Sequence, residues 1–183
     1  MNKLSAQLLF VPTLAWNMLL GRYLRVRRWW DRVDNHVIIG ALPFPSDVPR
    51  LRDEGVRGVV NTCLEYAGPQ RGYESAGIEQ HRMPTVDFTH PELADVEKAV
   101  EFIKGHADKD QSVYVHCKAG RARSATVVLC WLIQEHGMTP EQGQKLLLEK
   151  RPHVNPKLVE RPVVQTFFEK HSRTGNSLSR RAG

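Results

Sequence analysis

Val113-Tyr114-Val115-His116-Cys117-Lys118-Ala119-Gly120-Arg121-Ala122-Arg123-Ser124 is the stretch that decides the fold. A short β-branched and aromatic run ends at a cysteine, and five residues separate that cysteine from Arg123. A long apolar run, Ala125 to Ile133, follows Ser124. The pattern predicts strand, tight loop and helix. Such a loop points its backbone N–H groups inward at the positive end of the helix and makes an anion site. A cysteine at its base ionises easily, because a thiolate is itself an anion. Arg123 can grip two phosphate oxygens at once, and Gly120 lets the loop turn where a Cβ would clash. The stretch therefore proposes a Cys117 nucleophile in a phosphate cradle built from Lys118, Ala119, Gly120, Arg121, Ala122 and Arg123. A thiol packed inertly at a strand end is the competing reading, and the three surrounding cations argue against it.

The chain has 183 residues, 41% hydrophobic and 25% charged, which suits one globular domain with a real core. Cys63, Cys117 and Cys130 are an odd count and no disulfide framework, which points to a reducing compartment. The net charge of +6 is concentrated at the ends. Residues 1–32 carry six basic residues against Asp31 alone, a net of +5, and the chain from Lys170 onward has four basic residues and no acid. Basic ends favour an anionic surface as partner. Anionic lipid fits better than nucleic acid, because no nucleic-acid motif is present. Leu4 to Leu20 is mostly apolar but holds Pro12, and its 17 residues are at the lower limit for spanning a bilayer. Three readings stand: a mitochondrial targeting segment, an interfacial helix with Arg and Trp at the headgroups, or a helix packed on the domain. The first two rank above the third.

Outward from the cysteine loop, strands are expected at His36 to Leu42, Val56 to Cys63 and Ile78 to Met83. A short helix capped by Ser46 should run through Glu54, and Leu64 to Gly77 reads as loop. Pro91 should open a helix with Leu93, Val96, Val100 and Ile103 on its apolar face. The apolar helix from Arg123 should stop at Gly137. Thr139-Pro140-Glu141-Gln142 is a helix start, and Asn155-Pro156 should begin another helix that Pro162 restarts. Alternating strands and helices predict a single α/β domain with a largely parallel central sheet flanked by helices. We expect a basic N-terminal segment over 1–32, the catalytic domain over 33–172 and a disordered polar tail over 173–183. Ligands of such sheets sit at the carboxyl ends of strands, where Cys117 lies.

His116-Cys117-x-x-Gly120-x-x-Arg123-Ser124 resembles the active-site signature of the cysteine-dependent protein tyrosine phosphatase superfamily. The resemblance implies a dual-specificity phosphatase-like fold and hydrolysis of a phosphomonoester through a phosphocysteine. That chemistry needs a thiolate, donors for the equatorial oxygens, and an acid for the leaving oxygen that then activates water. The cradle supplies the first two. Asp87 lies 30 residues before Cys117, between a strand and a helix, where the compact dual-specificity branch carries its acid. By resemblance it is the general acid. Glu92 and Asp95 should lie on an exposed helix face, and simple capping of the next turn is the other role open to Asp87. Ser124 is implied to help the thiolate leave the phosphoenzyme, with N-capping as the alternative or added role. His116 is implied to order the loop and tune the thiol. Lys118 and Arg121 should face the pocket mouth and favour an acidic substrate. The absence of the long tyrosine-recognition insert implies a shallow pocket.

Within the superfamily, Trp29-Trp30-Asp31-Arg32-Val33-Asp34, Ile39-Gly40-Ala41-Leu42-Pro43, Thr85-Val86-Asp87 and the cysteine loop look like the mitochondrial phosphatases that act on phosphatidylglycerophosphate. The likeness extends over residues 8–171. It implies production of phosphatidylglycerol, on the way to cardiolipin, at the matrix face of the inner membrane. The alternative location is a cytoplasmic membrane surface. Of that family's Glu-Glu-Tyr-Glu only Glu65-Tyr66 is present, and Tyr66 is the residue taken to touch substrate. The expected partner is an anionic phospholipid. A dual-specificity protein phosphatase acting on phosphotyrosine and phosphoserine or phosphothreonine is the second reading, with phosphoproteins as partners. No metal, cofactor or nucleic acid is called for. Asn61-x-Cys63-x-Glu65 resembles a context in a related lipid phosphatase class, which implies a redox partner for Cys117. A small apolar strand-end residue is the other reading of Cys63, and Cys130 reads as core.

Overall fold

A computed structural model of the chain describes residues 27–179 except Asp87, Phe88 and His90, together with Pro12, Leu14, Ala15 and Met18. Most of the apolar N-terminal segment read above therefore lies outside the described residues. No helix among the described residues is long and apolar enough to cross a membrane.

Five strands form one sheet: β1 Trp30–Arg32, β2 Val37–Gly40, β3 Val56–Cys63, β4 Glu79–Thr85 and β5 Ser112–His116. Their spatial order is β1-β2-β5-β3-β4, with β1 antiparallel at one edge and the rest parallel. Adjacent residues of a strand bury themselves on opposite faces. Val113 and Val115 join the larger core cluster, while Tyr114 between them joins the smaller. This is the two-sided burial expected of a parallel sheet, and it explains why β5 reads as a continuous apolar run.

The larger cluster is closed by four helices, α3 Leu93–Ala107, α4 Arg123–His136, α5 Pro140–Lys150 and α6 Pro162–Ser179. The smaller lies under α1 Val48–Asp53 and α2 Gln70–Ala76. α5 packs beside α4 and gives the buried Leu147 to the larger cluster. Every residue of α4 from Arg123 to Ile133 is buried, so this helix is the axis of the domain. Gly137 stops it in the left-handed region at φ 60. Asp34 anchors its far end. Its carboxylate accepts from the Trp131 indole (2.7 Å) and from the His36 and Val37 amides (2.9 and 2.7 Å), and contacts His136 Nε2 at 2.9 Å. Burial pushes the Asp34 carboxyl up, but those bonds outweigh it and hold it below its ordinary value.

Five local expectations change. A strand at Trp30–Arg32 pairs with β2, so the sheet begins inside the segment assigned to 1–32. Asp47, rather than Ser46, holds the N-cap position of α1; its side chain bonds no amide of that helix and instead accepts from the Phe44 amide at 2.8 Å, closing the 3-10 turn Pro45–Asp47. Gln70–Ala76 is helical although its stretch is rich in Gly and Pro, because Tyr73 is buried in the smaller cluster and Gly77 closes the helix at φ 62. Asn155-Pro156 starts no helix. The Asn155 side chain accepts from the Lys157 amide at 2.8 Å and makes a turn instead. At the other end, α6 is helical through Ser179, into the stretch read as a disordered tail.

Candidate active site

β5 ends at His116, flanked by Gly40 of β2 and Asn61 of β3, so Cys117 leaves the sheet at its carboxyl edge between two parallel neighbours. The turn from there into α4 is sterically forced. Gly120 has φ 66, and a Cβ on it would lie 2.5 Å from the Gly40 carbonyl carbon. Gly40 in turn admits the Tyr114 hydroxyl, which donates to the Ala41 carbonyl at 2.5 Å. Two glycines thus let the loop lie against the end of β2.

The loop wraps the thiol. Cys117 is 4% exposed, and its Sγ accepts from the Gly120 amide at 3.2 Å and the Ser124 hydroxyl at 3.3 Å. Burial pushes this thiol up. The Arg123 guanidinium, the Ser124 hydroxyl and the Ser124 and Arg121 amides outweigh burial and bring it down to about 7. Ser124 therefore acts on the sulfur. The N-cap of α4 is Ala122, with no side-chain cap, and its carbonyl accepts from the Thr126 amide and hydroxyl, each at 3.0 Å.

Arg123 is 2% exposed and lies across the cradle. Its Nη1 donates to Glu65 Oε2 at 3.0 Å and to the Thr85 carbonyl at 2.8 Å. The Glu65 side chain is only 5% exposed, so this is a buried ion pair that fixes the guanidinium before substrate arrives. Thr85 ends β4, two residues before Asp87. Asp87 itself lies outside the described residues. Beyond it, the Thr89 hydroxyl donates back to the Val86 carbonyl at 2.7 Å.

The remaining expected residues divide. Arg121 is exposed at the rim, its Nε donating to the His153 carbonyl at 2.8 Å. Lys118 is 6% exposed, more enclosed than Arg121, and its carbonyl accepts from the Leu42 amide at 3.3 Å. Ala119 and Gly120 turn their carbonyls away from the thiol toward Arg151. Tyr66 uses its hydroxyl internally, donating to the Pro43 carbonyl at 2.5 Å, and its ring meets His116 edge-on. Burial, then Asp47 and Cys63, push the Tyr66 phenol up to about 12. Tyr66 thus supports the loop that carries Glu65. His116 is fully buried, stacked on Tyr114, and its carbonyl accepts from the Thr62 hydroxyl at 2.9 Å. Burial, with Arg123 and Arg82, drives its imidazole down to about 3, so it stays neutral and serves as a floor for the loop. Cys63, Cys117 and Cys130 are all free and buried. Burial pushes the Cys130 thiol up, as a core thiol should be. Among the described residues no group of His, Cys, Asp or Glu is placed to hold a metal ion.

Sequence reasoning missed Glu65 and Arg151 as members of the site. Glu65 had a signal, standing beside Tyr66 after a strand whose end faces the cradle. Arg151 had none, because Lys150-Arg151 reads as a solvated helix end.

The arrangement presents a low-pKa sulfur, inward N–H groups and one buried guanidinium, which together bind a phosphoryl group and attack it. The comparisons agree. The dual specificity phosphatase catalytic domain family matches residues 48–161. The phosphatidylglycerophosphate phosphatase PTPMT1 of Arabidopsis thaliana is 42% identical over 153 residues, which are 82% of this chain but 45% of that protein. The phosphatidylglycerophosphatase and protein-tyrosine phosphatase 1 of Mus musculus is 39% identical over 173 residues, 90% of each chain. A crystal structure of PTPMT1 in complex with PI(5)P superposes with a TM-score of 0.74 at 36% identity, covering 81% of this chain and 99% of that one.

Proposed function

The chain belongs to the dual specificity phosphatase family and is a cysteine-dependent phosphatase, and on that premise we propose that it converts phosphatidylglycerophosphate to phosphatidylglycerol. The Cys117 thiolate attacks the terminal phosphorus and forms an S–P bond as the P–O bond to the glycerol breaks. Loop amides and Arg123 stabilise the equatorial oxygens through the transition state. Asp87 gives its proton to the departing alkoxide, then takes one from the water that cleaves the S–P bond. Ser124 supports the sulfur as it leaves again as thiolate. Inorganic phosphate and a free hydroxyl are the products, and no electrons change hands.

The observation that carries the chemistry is the Cys117 sulfur held by Gly120 and Ser124 with Arg123 fixed across it. The names of the mouse and Arabidopsis relatives support phosphatidylglycerophosphate as substrate. A PTPMT1 structure in complex with PI(5)P supports an anionic phospholipid in a pocket of this type. Asp87 as acid is supported by the Thr85 carbonyl on Arg123, which brings the start of its segment to the cradle. The basic N-terminal segment suits attachment to an anionic bilayer. We place the enzyme peripherally on the matrix side of the mitochondrial inner membrane, one step before cardiolipin formation. A cytoplasmic membrane surface is the other location open to it.

The mouse relative's second name, protein-tyrosine phosphatase, favours phosphoproteins as the competing substrates. Turnover of phosphatidylglycerophosphate in vesicles, compared with phosphotyrosine and phosphothreonine peptides, separates the two. A kcat/KM far higher on the lipid is expected; a large preference for peptides would replace the lipid with protein.

A further inference from the structure

Arg151 lies behind the phosphate cradle, 1% exposed, at the C-terminal end of α5. A guanidinium has five N–H donors, and Arg151 places all of them. Nε donates to the Gly120 carbonyl at 2.9 Å, and Nη2 to the Ala119 carbonyl at 3.1 Å and the Trp29 carbonyl at 3.5 Å. Nη1 donates to Asp31 Oδ2 at 2.6 Å and to the Arg28 carbonyl at 3.2 Å. The acceptors fall into two groups: carbonyls of the cradle, and the chain entering β1. Asp31 is 7% exposed, so its charge and that of Arg151 are withdrawn from water together.

A peptide plane carries its C=O and the next N–H on opposite sides. Holding the Ala119 and Gly120 carbonyls backward therefore turns the following amides, those of Gly120 and Arg121, forward. Those are amides that face the Cys117 sulfur. We infer that Arg151, clamped by Asp31, is a positioning residue that keeps the cradle's N–H groups aimed at the sulfur and at the bound phosphoryl group. The inference rests on the phosphatase reading of this loop. It also makes the segment 28–31 part of the catalytic apparatus, so a chain cut at residue 32 loses acceptors that hold Arg151 in place.

Position and charge give different results in two variants. Arg151→Lys keeps the positive charge but cannot span both carbonyls and the carboxylate. Asp31→Asn keeps size but removes a negative charge, which by field alone would lower the thiol's pKa. The readouts are the pH midpoint of Cys117 alkylation by iodoacetamide and the affinity for orthovanadate, a phosphate mimic. Neither requires the natural substrate, so a failure here is distinct from a failure of the proposed reaction, which Cys117→Ser reports. If Arg151 positions the loop, both variants move the midpoint upward, and orthovanadate binds about tenfold to a hundredfold more weakly in Arg151→Lys. A folded Arg151→Lys protein of lower thermal stability with an unchanged midpoint and unchanged orthovanadate affinity overturns the inference. A midpoint at or below wild type in Asp31→Asn does the same, and decides the matter if Arg151→Lys does not fold.

Discussion

Ser124→Ala isolates one source of thiol activation. The hydroxyl donates to Cys117 Sγ at 3.3 Å, beside the Gly120 amide at 3.2 Å. A hydrogen bond to a charged acceptor contributes about 1.5–3 kcal/mol, and this long one belongs at the low end. At ~1.4 kcal/mol per unit, its loss raises the thiol by about one unit. The wild-type thiol sits at about 7, so at pH 7 the thiolate fraction should fall from about a half to about a tenth. The assay is the rate of iodoacetamide inactivation against pH. Inactivation at pH 7 should slow about fivefold while the plateau at high pH stays near the wild-type value. Ser124 makes no helix cap, so thermal stability should change little from lost capping. An unshifted midpoint would refute the reasoning and leave Arg123 and the amides as the whole cause. The same depression has a sign in stability. Because the folded thiol lies below the unfolded one, its contribution is fully present above about pH 9 and is lost as pH falls through about 7.

Asp87→Asn should lower turnover of a poor leaving group by about 100-fold or more while sparing phosphoenzyme formation from a good one, read by stopped-flow on a pair of esters. Full activity on the poor leaving group would remove Asp87 from the acid role. Gly120→Ala puts a Cβ 2.5 Å from the Gly40 carbonyl carbon at φ 66, and should cost about 2 kcal/mol or more in urea unfolding together with the activity. Removing residues 1–26 takes away Lys3, Arg22 and Arg25 but leaves Arg28, Trp29 and Asp31. Vesicle turnover at low salt should fall by up to about 100-fold, at ~1 kcal/mol per cation, with soluble ester turnover unchanged.

The sequence announced the parts of this molecule whose signals are local. β5, the cysteine loop and α4 form one uninterrupted pattern, and α4 stops at Gly137 as read. The Thr139–Gln142 capping box is reciprocal in the structure, at 2.9 and 3.3 Å. What stayed hidden depends on partners distant in sequence. β1 is only three residues long and exists because β2 pairs with it. α2 has poor intrinsic propensity and forms around the burial of Tyr73. Arg151 reaches Asp31 across 120 residues of chain, and Arg123 reaches Glu65 across 58. Lys118 shows the converse: a cation beside the nucleophile in sequence, yet buried. The residue types that do the chemistry were legible, whereas the residues that aim them were not, because a buried charge looks like a surface charge until its partner is known.

Rapid-quench trapping with vesicular phosphatidylglycerophosphate labelled in its terminal phosphate tests the central claim most directly. The account predicts label on Cys117 within the first turnover, discharged as inorganic phosphate, and none on Cys117→Ser. Turnover of the lipid with no labelled Cys117, or by the Cys117→Ser protein, would contradict it.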